Sequence, residues 1–75
     1  MKFDQVFELR YMGWAVERYI GGYEFRRKDA SINEYAYLPD SFMWERRDPL
    51  TGWWVEAKSY EVPVVLLEYV KKQRK

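Results

Sequence analysis

The side chains behind most enzymatic chemistry are missing from this chain, whose 75 residues include no histidine and no cysteine. A Ser–His or Cys–His nucleophile pair cannot be built from it, and Ser31, Ser41 and Ser59 have no evident base. Glu45 and Asp48 form a carboxylate pair of the kind used in general acid–base work, yet beside a turn they read as solvated surface charge. No transition-metal site is expected without His or Cys, and no run of Asp or Asn has calcium-loop spacing. Gly21-Gly22 would suit a phosphate cradle only if it opened a helix. It lies between two extended segments, so it reads as a hairpin turn. The residues therefore predict a non-enzyme with no catalytic, metal-binding or cofactor-binding residues.

What remains is recognition by rings and cations. Trp53-Trp54 is the most suggestive dipeptide, because adjacent strand residues point to opposite faces. Trp53, with Val55 and Ala57, is expected in the core, and Trp54, with Glu56 and Lys58, on the outer side, where its ring either stands exposed or packs under the loop 29–41 or against a Lys or Arg stem. An exposed Trp beside Arg or Lys anchors a protein partner or stacks on an unpaired base. Basic residues cluster at Arg26-Arg27-Lys28, at Arg46-Arg47 and in the tail from Lys71 to Lys75. With the two hairpins as neighbours, Tyr19, Arg26, Lys28, Arg47 and Trp54 share one face and make up the expected partner-binding set. Glu8, Glu17, Glu24, Glu45 and Glu56 fall on the same nominal face, where Glu17 opposite Arg26 reads as a cross-strand ion pair.

The elements that must position these residues begin with 6 to 28, VFELRY-MG-WAVERYI-GG-YEFRRK. Read as three strands joined at Met12-Gly13 and Gly21-Gly22, it puts Tyr11 opposite Trp14 and Ile20 opposite Tyr23. One face then collects Phe7, Leu9, Tyr11, Trp14, Val16, Arg18, Ile20, Tyr23, Phe25 and Arg27, and the other Glu8, Arg10, Ala15, Glu17, Tyr19, Glu24, Arg26 and Lys28. Phe3, Val6, Phe7 and Arg10 also follow a helical spacing with Gly13 as a stop, but the strand is preferred. Residues 32 to 38 read as a fourth strand at the sheet edge. Residues 42 to 58 read as a hairpin, with Asp48-Pro49 opening the turn and Gly52 closing it in a left-handed conformation. From about 62 to 73 the tail is expected to be helical, with Pro63 in its first turn. Its inward stripe is Val62, Val65, Leu66, Tyr69 and Val70, and Glu68 with Lys72 makes an i,i+4 pair. Val64 and Leu67 flank the stripe and offer a homodimer contact. The expected fold is one α+β domain over 1–75, an antiparallel β-meander of four to five strands with the C-terminal helix packed on one face.

The stretch GWAVERYIGGYEFRR resembles a fragment of the small toxin ribonucleases of the HicA type. In that family a helix ends in Gly-aromatic, a strand follows, and a Gly-Ser-His turn leads into a second strand ending in Phe-Arg. Tyr23 stands where the family places its catalytic His, so the resemblance implies no ribonuclease activity here. It implies an alternative layout of helix, three strands and helix, should residues 3 to 12 be helical.

Thirteen Lys and Arg against twelve Asp and Glu leave a net charge of +1, too little to draw the whole chain to nucleic acid or to an anionic membrane. The N-terminus lacks the apolar run of a signal peptide, and no stretch approaches the ~20 apolar residues of a membrane span. Without cysteine a reducing compartment suits the chain, and a cytoplasmic protein, in its own cell or a host cell, is expected. Aromatic content of 20% in so short a chain points to a non-catalytic binding module. The expected role is an adaptor or inhibitor that docks on another protein, of a kind common among phage and virus accessory proteins. The alternative is a single-stranded nucleic-acid-binding domain that uses the same basic and aromatic face.

Overall fold

The structure, a computed structural model, describes residues 5–73. Its elements run α1 (Gln5–Tyr11), β1 (Trp14–Tyr19), β2 (Gly22–Arg27), β3 (Tyr35–Leu38), β4 (Met43–Arg47), β5 (Trp54–Ala57), a short 3-10 turn (Ser59–Glu61) and α2 (Val64–Gln73). The five strands form one antiparallel sheet in chain order. This is the expected α+β meander, with the C-terminal helix packed on one face.

The segment preferred as a first strand is instead α1. Its residues Gln5, Glu8, Leu9 and Arg10 favour a helix. Gly13, at φ 96°, ends it in a conformation that a β-branched or bulky side chain resists. The Met12 N–H donates to the carbonyls of Glu8 and Leu9, both at 3.1 Å, and the Gly13 N–H to that of Arg10 at 2.9 Å. Only Leu9 of α1 is buried, while Phe7 and Tyr11, expected on the same face as Leu9, are exposed. Phe3 lies outside the described residues. The layout is thus a helix, five strands and a helix, two strands more than the layout implied by the HicA-type resemblance.

The β1–β2 turn also differs from expectation, and in an instructive way. Tyr19 pairs with Gly22, so the two-residue loop is Ile20-Gly21. Gly22 belongs to the strand because its α-carbon lies against the backbone carbonyl of Tyr37, where no side chain fits. The cross-strand partners therefore slide by two positions, so Val16 faces Phe25 and Glu17 faces Glu24. A slide of two leaves every residue on its expected face, since side chains alternate with period two.

Along the inner face, Trp14, Val16, Tyr23, Phe25, Tyr35, Tyr37, Trp44 and Ala57 meet Leu9 from α1 and Val62, Leu66, Tyr69 and Val70 from α2 and its approach. Phe25 and Leu66, both 0% exposed, are at the centre. The aromatic rings interlock: Phe25 meets Tyr69 edge-on at 5.8 Å, and Tyr37 lies 4.8 Å from Trp44. α2 starts after Pro63, whose carbonyl accepts from the Leu66 and Leu67 N–H groups. Lys72 does not pair with Glu68 as expected. Its Nζ reaches Glu8 Oε1 at 3.2 Å, and together with a Gln73–Gln5 hydrogen bond this ties the two helices.

β3 is the middle strand, not an edge, and is shorter than expected, because residues 28–34 form an irregular connection. The β4–β5 loop is the one expected. Asp48 N–H donates to the Trp53 carbonyl at 2.8 Å, Gly52 N–H to the Asp48 carbonyl at 2.8 Å, and Gly52 sits at φ 79°. The Thr51 hydroxyl and N–H both donate to Asp48 Oδ2, at 2.8 and 3.0 Å, and hold that carboxyl below the usual carboxylate range. A carboxyl lowered on folding stabilises the fold above its unfolded pKa, and the contribution is lost as pH falls through the folded value. Asp48→Asn keeps an acceptor for Thr51 but cannot titrate. Urea midpoints followed from neutral pH to about pH 3 should therefore decline less steeply in this variant than in the wild type. Parallel curves would mean that the bonds from Thr51 do not persist in solution.

Candidate functional site

The helices cover one face of the sheet, and the other carries the side chains nominated for binding. The strand registers arrange this outer face in three rows. The first runs Ala15, Arg26, then Arg47 and Trp54; the second runs Glu17, Glu24, Ala36, Glu45, Glu56; the third holds Tyr19, Gly22, Leu38, Met43.

The middle row is the unexpected one. Glu17 stands opposite Glu24, not Arg26, and Glu45 stands opposite Glu56. Like charges directly opposite each other destabilise a sheet, and the loop 28–34 supplies the remedy for the first pair. Asn33 Nδ2 donates to both Glu17 Oε1 and Glu24 Oε1, each at 2.7 Å, and the Tyr19 hydroxyl adds a bond to Glu17 Oε1 at 3.0 Å. Asn33 first and Tyr19 second hold the Glu17 carboxyl below its usual range, and the same bond to Glu17 raises the Tyr19 hydroxyl. Glu56 has Lys58 at 3.6 Å.

Of the five residues expected to bind a partner, Tyr19, Arg26, Arg47 and Trp54 lie on this side and Lys28 follows the end of β2, but they are not in one place. Tyr19 and Trp54 line a hollow of about 210 Å³ with Glu24, Ala36, Leu38 and Glu45. Arg26 and Lys28 line a separate cleft of about 310 Å³ with Arg10. The Glu17–Glu24 pair lies between Arg26 and Tyr19 in the β1–β2 register. Arg47 is committed to the scaffold. Its guanidinium lies 4.3 Å from the Trp54 ring centroid, Nε donates to the Asn33 carbonyl at 3.0 Å, and Nη1 donates to the Gly52 carbonyl at 3.1 Å. Trp54 is accordingly half-buried under Arg47.

Trp53, expected in the core, is 75% exposed. Along the inner face of β5, burial falls from Ala57 (buried) through Val55 (half-buried) to Trp53. Trp53 precedes the strand, and its backbone closes the Asp48 loop, so the ring lies past the edge of the packed layer. Leu50 and Ile32, also exposed, belong to loops at the same end of the sheet, while Ile20 and Phe42 mark the turns at the other end. Alternation does not reveal these residues. The one available signal is that a turn as well formed as 48–52 leaves its flanking residues outside the sheet.

A second apolar hollow, of about 360 Å³, lies between the helices and is lined by Leu9, Met12, Val64, Val65 and Tyr69. Val64 is 68% exposed beside it, whereas Leu67 is half-buried and packs on the core. No helix among the described residues is long and apolar enough to cross a membrane. No family model matches the chain, and no curated protein or solved structure matches it either.

Proposed function

We propose that this protein is a non-catalytic binding module, an adaptor or inhibitor that docks on another protein in the cytoplasm. The observation that carries this reading is the Trp53 ring, 75% exposed beyond the end of the packed inner layer, in the same β4–β5 loop as the exposed Leu50 and one residue before the Trp54 that stacks on Arg47. A rigid, exposed indole at the rim of a sheet is the kind of anchor that protein interfaces favour. A second copy of the chain is one possible partner, through Val64 and the hollow between the helices, and sedimentation at several concentrations reads that case directly.

Trp53→Ala should leave stability within about 0.5 kcal/mol, as surface exchanges do, while weakening capture of the partner from source lysate. Capture unchanged in both Trp53→Ala and Trp54→Ala would remove the anchor. The runner-up, single-stranded nucleic-acid binding, draws on Tyr19 and Trp54 sharing one hollow. It is opposed by the carboxylates of Glu17, Glu24, Glu45 and Glu56, which cross the path a phosphate backbone would take over the sheet. A labelled oligonucleotide that shows no mobility shift at low salt disposes of it, because phosphate contacts are strongest there.

A further inference from the structure

Four cations of the described surface sit against carboxylates: Arg27 on Glu34, Arg46 on Glu61, Lys58 on Glu56 and Lys72 on Glu8. Of the six other described cations, Arg10, Arg18, Arg26, Lys28, Arg47 and Lys71, none does, and three of them converge. Arg10 from the last turn of α1, Arg26 from β2 and Lys28 just beyond it line one cleft of about 310 Å³ walled by Val6, Ala15 and Val16. Among the described residues no carboxylate lies within ion-pair distance of these three. Arg26 Nη1 donates only to the Ala30 carbonyl, at 3.1 Å. Glu17 is near enough to respond to Arg26, but its carboxylate is already held by Asn33 and Tyr19.

We propose that this cleft receives a side-chain carboxylate from an acidic segment of the partner protein, an inference that rests on the docking reading above. Converging like charges repel, and an arriving anion relieves that cost while gaining charge-assisted hydrogen bonds from two guanidinium groups. The apolar walls fit the methylene stem of a Glu or Asp. A polyanionic backbone continuing over the sheet would meet the glutamate row, whereas a short acidic stretch on a folded partner need not cross it. The cleft and the row therefore ask for a partner whose acidic segment gives way to basic or neutral residues.

The test is a titration of isotope-labelled protein with a hexaglutamate peptide at low salt, followed by amide NMR. Shifts should concentrate at Arg10, Ala15, Arg26 and Lys28. Affinity should fall about tenfold in Arg10→Glu/Lys28→Glu, whose two positions are exposed and whose circular dichroism should match the wild type. Shifts spread over the whole surface, or affinity unchanged in the variant, would overturn the site. So would tighter binding of inorganic phosphate or oligothymidylate at the same amides. Should Arg10→Glu/Lys28→Glu capture the partner from lysate like the wild type while Trp53→Ala does not, the docking reading stands and this cleft is not its contact.

Discussion

Phe25→Ala is expected to lower the unfolding free energy by about 3–5 kcal/mol, the usual range for emptying a buried phenyl site. Phe25 is fully buried and touches rings from three directions: Tyr69 edge-on at 5.8 Å, Trp44 at 5.8 Å and Tyr23 at 6.4 Å, the last two at 30° to it. These neighbours belong to β2, β4 and α2, so the site cannot collapse without moving the helix relative to the sheet. At roughly 0.05–0.15 kcal/mol per residue, a 75-residue chain has about 4–11 kcal/mol in all, and the loss takes much of it. Urea denaturation followed by near-ultraviolet circular dichroism reads the effect. Phe25→Leu, which keeps most of the volume, should cost far less. A loss under about 1 kcal/mol in Phe25→Ala would mean that the helix does not pack over this strand.

The glycine pair provides the second large effect, because its members should respond with opposite sign. An added methyl at Gly22 would collide with the Tyr37 carbonyl oxygen and come within 3.3 Å of Pro39 Cδ, so β2 and β3 must separate. Gly22→Ala should destabilise by about 2–3 kcal/mol, as overpacking against backbone does. At Gly21 the same methyl meets nothing within 4 Å, and the backbone there is outside the left-handed region. Gly21→Ala should be neutral or stabilise by up to about 1 kcal/mol, through the stiffer unfolded chain. Equal effects at the two positions would return the turn to Gly21-Gly22 and undo the register that places Glu17 opposite Glu24.

Several features could be read from residue order because their causes are local. Alternation from Trp14 to Arg27 assigns faces whichever two-residue turn is chosen, since sliding partners by two preserves parity. Asp48, Pro49 and Gly52 carry their own turn geometry, and Pro63 with the apolar spacing after it marks α2. α1 was not legible, because a segment seven residues long with apolar side chains at 6, 7, 9 and 11 fits both periods.

Of the candidate surface, the sequence by itself determined which residues lie outward on the sheet, and thus that Tyr19, Arg26, Arg47 and Trp54 share a side. Only the tertiary structure decided how that side is divided. It put Gly22 against Tyr37, and with that close approach came the facing glutamates and the Asn33 bridge. It brought Arg10 from a helix to Arg26 and Lys28. It also ended the packed layer short of Trp53. Each of these depends on contacts between segments distant in the chain, whose energies no local pattern encodes, whereas the two-residue alternation of a strand is set by its own backbone.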